Sequence, residues 1–188
     1  MSLETDKKSS FSQEVEKLFK TNPLEKNVNE KLFSEVKKFQ QKIVGFNNKQ
    51  KATSQLVEFV YSMPEQDLYS LFSYNDELIR SIAVRAYVDK NPLDLMIALK
   101  KLLKSKVEFV RHSAVMGLSY MNEEECLDSL VEASNDAIQS VKLAALSGIV
   151  DIANEYNSII AKNTLNTFLN DKDKVIREFV KDELSIMF

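Results

Sequence analysis

The chain has 188 residues, 44% of them hydrophobic and 28% charged, with three Gly, three Pro, one Cys, one His and no Trp. One cysteine excludes an internal disulfide, and a single His with a single Cys cannot furnish a His/Cys zinc site. The net charge is −3 and the pI about 5.4, a poor electrostatic footprint for nucleic acid. The charge is uneven: residues 1–51 carry +4 and residues 52–188 carry −7. Charge placement at helix ends accounts for such a bias, and so would a basic end that contacts an acidic partner. Gly45, Gly117 and Gly148 lie too far apart for a dinucleotide or phosphate-binding loop. No apolar run approaches the roughly 20 residues of a membrane span. The first residues lack the apolar core of a signal peptide. A cytoplasmic protein is expected, and a free Cys126 agrees with a reducing compartment.

In chain order, residues 1–9 are polar and are expected to be disordered. Residues 10–20 suggest a short helix capped by Ser10, with Val15, Leu18 and Phe19 as its stripe, inside an N-terminal segment 1–27. A helix follows on Leu32, Val36 and Phe39. Pro64 and Pro92 each stand where a first helical turn should begin. They introduce Leu68, Leu71 and Phe72, then Leu95, Ala98, Leu99 and Leu102, the latter followed by Lys100, Lys101 and Lys104 near the helix end. Asn122 before Glu123–Glu125 reads as an N-cap with acids in the first turn, leading to Leu127, Leu130 and Val131. Ile159, Ile160, Leu165, Phe168 and Leu169 form a later helix, expected to be about one turn longer than its counterparts.

Between these helices a second pattern recurs. Lys49, Arg80, Arg111, Lys142 and Arg177 are separated by 31, 31, 31 and 35 residues. Three residues after each comes Ala52, Ala83, Ala114, Ala145 and then Val180, and a β-branched residue precedes the last four basic ones. In the second copy Ile79, Ile82, Ala83, Ala86 and Tyr87 make one apolar stripe at helical spacing. Gly117 and Gly148, also 31 apart, sit inside such helices, where Gly costs about 1 kcal/mol against Ala. A close helix crossing with no room for a Cβ explains them. The copies predict two-helix units over approximately 28–62, 63–90, 91–121, 122–154 and 155–188. The last, with Lys181, Asp182 and Glu183 in place of apolar or small residues, reads as a polar cap.

This pattern resembles HEAT repeats, closest to the short bacterial, phycobilisome-lyase type, whose second helix reads Asp-x-x-x-x-Val-Arg-x-x-Ala-x-x-Ala-Leu. The resemblance covers residues 28–188 and implies an all-α fold, a right-handed α-solenoid of about five two-helix repeats with a short N-terminal helix. An unrelated helical bundle is the alternative architecture, but it needs no fixed 31-residue register. In the family the Asp and the Arg form a ladder between neighbouring repeats. Asp136 precedes Lys142 and Asp171 precedes Arg177 at the family's offset, whereas Tyr74 and Ser105 hold that place in two other copies. The resemblance thus implies a structural ladder of Asp136, Lys142, Asp171 and Arg177.

The basic series can also be read as a phosphate-contacting stripe, with the ladder as the alternative. Val84, Val115 and Leu146 share one register position. Stacked second helices would align them as an apolar row edged by Arg80, Arg111 and Lys142, a binding surface on a concave face or simply packing between repeats. His112 lacks a triad partner nearby in sequence and reads as a surface residue beside Arg111, and Cys126 as a half-buried thiol. No catalytic residue, metal site or cofactor is expected. The expected function is a non-enzymatic scaffold or adaptor that grips a protein segment. The alternatives are a lyase-type subunit, a DNA-alkylation-repair-like HEAT protein, or an assembly subunit with an obligate partner. The acidic pI and the absence of Trp for stacking weaken the DNA reading.

Overall fold

A computed structural model describes residues 34, 36–38, 41, 49–93 and 95–187, without the side chains of 49–52 and 66. The expected helix at 10–20, Leu32, Phe39, Gly45 and the side chains of Lys49 and Ala52 lie outside the described residues. Among the described residues all regular structure is helical, and no helix is long and apolar enough to cross a membrane. The chain divides into two compact units, Met1–Leu93 and Asp94–Phe188.

In the first unit, α1 (Lys49–Ser62), α2 (Glu65–Leu71) and α3 (Glu77–Lys90) pack together, with α3 against both others. Pro64 is the N-cap of α2, one residue earlier than a helical position. Asp76 caps α3 by accepting the Ile79 N–H at 3.2 Å. The predicted stripe of α3 is buried, but Arg80 and Val84 are buried as well, so α3 is covered on most of its circumference. Tyr69, Phe72 and Tyr87 form an aromatic cluster, with ring centroids 4.6 Å apart for the two tyrosines and 5.6 Å for Phe72 and Tyr87. The two buried tyrosine hydroxyls bond each other, which satisfies groups that burial would otherwise penalise. Burial raises the Tyr87 pKa above its ordinary value, and the Tyr69 hydrogen bond only partly opposes it.

In the second unit the order is α4 (Leu95–Leu102), α5 (Glu108–Met121), a 3-10 turn (Glu124–Cys126), α6 (Leu127–Ala133), α7 (Gln139–Glu155), α8 (Ile159–Thr167), a second 3-10 turn (Phe168–Asn170) and α9 (Lys174–Ile186). Helix α5 packs on α4, α6 and α7, and α7 packs in turn on α6, α8 and α9. The predicted core face of α4 is buried in full. Helix α9 buries Ile176, Val180 and Leu184 and leaves Lys181 and Asp182 exposed.

The two helical glycines mark close approaches. A Cβ on Gly117 would lie 2.8 Å from a Leu99 methyl carbon. A Cβ on Gly148 would run into Ser119 Oγ and come within 3.1 Å of Leu130 Cδ1. Leu99, Ser119 and Leu130 belong to adjoining helices, so an added methyl at either glycine would have to displace a neighbouring side chain.

Three expectations change. Asn122 is not an N-cap: it closes α5 in the left-handed conformation at φ 47°, its N–H bonded to Ser119 O. Asn91 closes α3 in the same way at φ 45°, and Asn157 adopts φ 49° after α7. Asn visits this region because its short polar side chain tolerates it. These three residues also locate the 35-residue step. The spans from Arg80 to Asn91 and from Arg111 to Asn122 are 11 residues, and that from Lys142 to Asn157 is 15. From each Asn to the basic residue of the next copy, Arg111, Lys142 or Arg177, is a constant 20. The extra turn therefore lies in α7, with 17 residues against 14 in α3 and α5, and not in the nine-residue α8. Finally, Ile159 and Ile160 are not core: they are 72% and 66% exposed, while Leu165 and Phe168 are buried.

Candidate interaction surface

The basic register positions have a shared geometry. Arg80, Arg111 and Arg177 each donate from Nη1 to the carbonyl six residues earlier, on Tyr74 at 2.6 Å, Ser105 at 2.9 Å and Asp171 at 2.7 Å. The remaining donors of Arg111 reach both carboxylate oxygens of Asp136, at 2.7 and 3.0 Å. Lys142 Nζ meets Asp171 at 2.9 Å and stands over the Phe168 ring. Each carboxylate thus pairs with the basic residue of the preceding copy. Arg111 belongs to this arrangement, and Arg177 holds the backbone of Asp171 instead of its carboxylate. Gln139 adds a bond to Asp173 at 2.6 Å.

The same carboxylates shape the loops before the second helices. Asp136 accepts the Ile138 N–H at 2.8 Å, and Asp171 accepts the Asp173 N–H at 2.8 Å. Ser105 does the same for Val107 at 3.1 Å. Ser can make this turn, so it can hold the place of Asp in the loop without pairing a cation. Burial would lift the Asp136 pKa, but the Arg111 and Ile138 hydrogen bonds outweigh it and hold the carboxyl below its ordinary range. The Asp173 N–H and then Lys142 lower Asp171 likewise. Arg111 and Lys142 are thus engaged inside the chain, and a phosphate would have to displace these carboxylates.

Val84, Val115 and Leu146 are each fully buried. As an open apolar row for a partner they are therefore corrected to interior residues, because α3, α5 and α7 are buried beyond the predicted stripe. His112 is also corrected from surface to buried, at 9% exposure, because α5 is covered on most sides. Cys126 is fully buried, and burial pushes its thiol up to about 11, which removes thiolate at neutral pH. Among the described residues no cluster of His, Cys, Asp or Glu could hold a metal ion.

What the second unit does expose is a corner between α7 and α8. The Tyr156 hydroxyl donates to Asn122 O at 2.8 Å. Its pKa is raised, first by desolvation and then by the negative charges of Glu155, Glu125, Glu123 and Glu124. Ser158 caps α8 by accepting the Ala161 N–H at 3.3 Å, which sets Ile159 and Ile160 on its first turn. Helical periodicity does not mark this corner; its signal in the sequence is the 35-residue step from Lys142 to Arg177 that contains it.

No family model matches the chain, and no curated protein matches it.

Proposed function

We propose that this chain is a non-enzymatic protein-binding scaffold or adaptor, built of HEAT-like repeats that form a solenoid. Support for the repeats comes from the recurring basic residue, the Asn closures and the carboxylate pairs between consecutive copies. Support for binding rests on one observation. Arg80, Arg111, Lys142 and Arg177 are engaged inside the chain, while isoleucines on helix exteriors stand open, Ile97, Ile159, Ile160 and Ile186 at 65–79% exposure. Such side chains gain by being covered, roughly 1.5–3 kcal/mol each when fully buried. The contact surface is drawn on exposed residues and not on Val84, Val115 and Leu146.

The test is capture from native lysate by the immobilised chain, followed by mass spectrometry. The expected result is one protein in near-stoichiometric amount that survives moderate salt. Retention of nothing, or turnover of a small molecule by the purified chain, overturns the reading.

A further inference from the structure

The corner at the end of α7 differs from its counterparts in length, and it sets two adjacent exposed isoleucines beside acidic residues. Helix α7 carries the additional turn, and that turn ends in Glu155 and Tyr156. Tyr156 bridges back to the Asn122 carbonyl, beside the exposed Glu123, Glu124 and Glu125. Ile159 and Ile160 follow at once, held outward by the Ser158 cap. The outward face of α8 continues through Asn163, Asn166 and Thr167, all exposed and uncharged. The one charge within α8 is Lys162, and its ammonium lies 2.6 Å from Asn157 Oδ1. The result is an apolar step that follows Glu155 and Tyr156, is tied through the Tyr156–Asn122 hydrogen bond to the Glu123–Glu125 segment, and continues into a neutral helix face.

A chain with 28% charged residues has no need to leave the outward face of a helix uncharged. Adjacent isoleucines that stay hydrated forgo their burial energy. Both features make sense if another molecule covers them. The four carboxylates decide its chemistry, because a partner that buries the isoleucines brings its own rim against them, and like charges there would repel. We propose that this corner docks a basic amphipathic helix of a partner protein, apolar side chains on Ile159, Ile160 and Tyr156 and lysine or arginine against Glu123, Glu124, Glu125 and Glu155. This rests on the scaffold reading above and names its partner class.

The probe is a short synthetic amphipathic helix of leucine and lysine, with a leucine–glutamate counterpart of identical apolar face, measured by fluorescence anisotropy against the full chain. The lysine peptide binds and the glutamate peptide does not. Ile159→Asn/Ile160→Asn weakens binding by roughly tenfold or more, since two buried side chains are lost. Glu123→Gln/Glu124→Gln/Glu155→Gln weakens it comparably at low salt and less at high salt. All five positions are exposed, so both variants keep the wild-type melting temperature. Absence of lysine-peptide binding overturns the proposal, as does equal binding to the Asn/Asn variant, which marks diffuse charge attraction alone. If lysate capture persists unchanged in the Asn/Asn variant, the scaffold reading stands and the corner assignment falls.

Discussion

Removal of Asp136 should destabilise the second unit well beyond the loss of a surface charge. The Arg111 and Asp136 side chains are only 17% and 12% exposed, and two short hydrogen bonds join them. Exposed ion pairs contribute about 0.2–1 kcal/mol, whereas hydrogen bonds to charged groups contribute about 1.5–3 kcal/mol. A coupling energy of about 2 kcal/mol is expected from a double-mutant cycle of Asp136→Ala and Arg111→Ala. The single Asp136→Ala variant should lose about 3 kcal/mol, because it also strips the Ile138 N–H of its acceptor and leaves a largely covered guanidinium short of a partner. That corresponds to a fall in Tm of roughly 6–12 °C for a chain of this size. Guanidinium denaturation of the four proteins, followed by circular dichroism, supplies the cycle. The pH dependence has a defined sign. The folded Asp136 pKa lies below the unfolded value of about 3.9, so its contribution is complete above that pH and is lost as pH falls through the lower folded pKa. The gap between wild type and Asp136→Ala should therefore close in acid. A coupling below about 0.5 kcal/mol at pH 7, or a gap indifferent to acid, refutes the reasoning.

Other outcomes follow from the same packing. Gly148→Ala gains about 1 kcal/mol of helix propensity but forces a Cβ into Ser119, with a net loss of about 1–2 kcal/mol that Ser119→Ala should partly restore; a more stable Gly148→Ala protein contradicts the close crossing. Val115→Glu buries a charge at a position with no exposure and should lose 3 kcal/mol or more, on the order of the cost of an unpaired interior charge; an unchanged melting temperature would return Val115 to the surface. Cys126 should react with iodoacetamide at neutral pH far more slowly in the native chain than in urea, because it is buried and its thiol titrates near 11. Equal native and unfolded rates contradict that placement.

The features legible in the sequence are those that repeat. Helical spacing located the buried faces of α3 and α4, and the common spacing of Gly117 and Gly148 already implied close contacts. Features set by a single backbone conformation or by tertiary contact were not legible. Asn122 before three glutamates satisfies every local rule for an N-cap, and only its positive φ makes it the end of α5. Val84, Val115 and Leu146 flank the apolar stripe, and periodicity cannot tell a helix covered on one side from one covered nearly all round. The burial of His112 is hidden from the sequence for the same reason. The ladder residues were named from resemblance, but which copy's carboxylate meets which cation depends on how consecutive helices adjoin. The 35-residue step shows an extra turn but not its helix, because apolar spacing alone does not mark helix ends; the recurrent Asn does.

The central claim is that this chain works by holding a protein. A photoreactive benzophenone side chain placed at Asn163, on the neutral face beside Ile159 and Ile160, tests it in native lysate, with the same group at the exposed Glu58 as reference. The account predicts one dominant crosslinked protein from position 163, attached through a lysine- or arginine-rich helical segment, and little from position 58. Equal, diffuse labelling from both positions, or no protein adduct from 163, would contradict it.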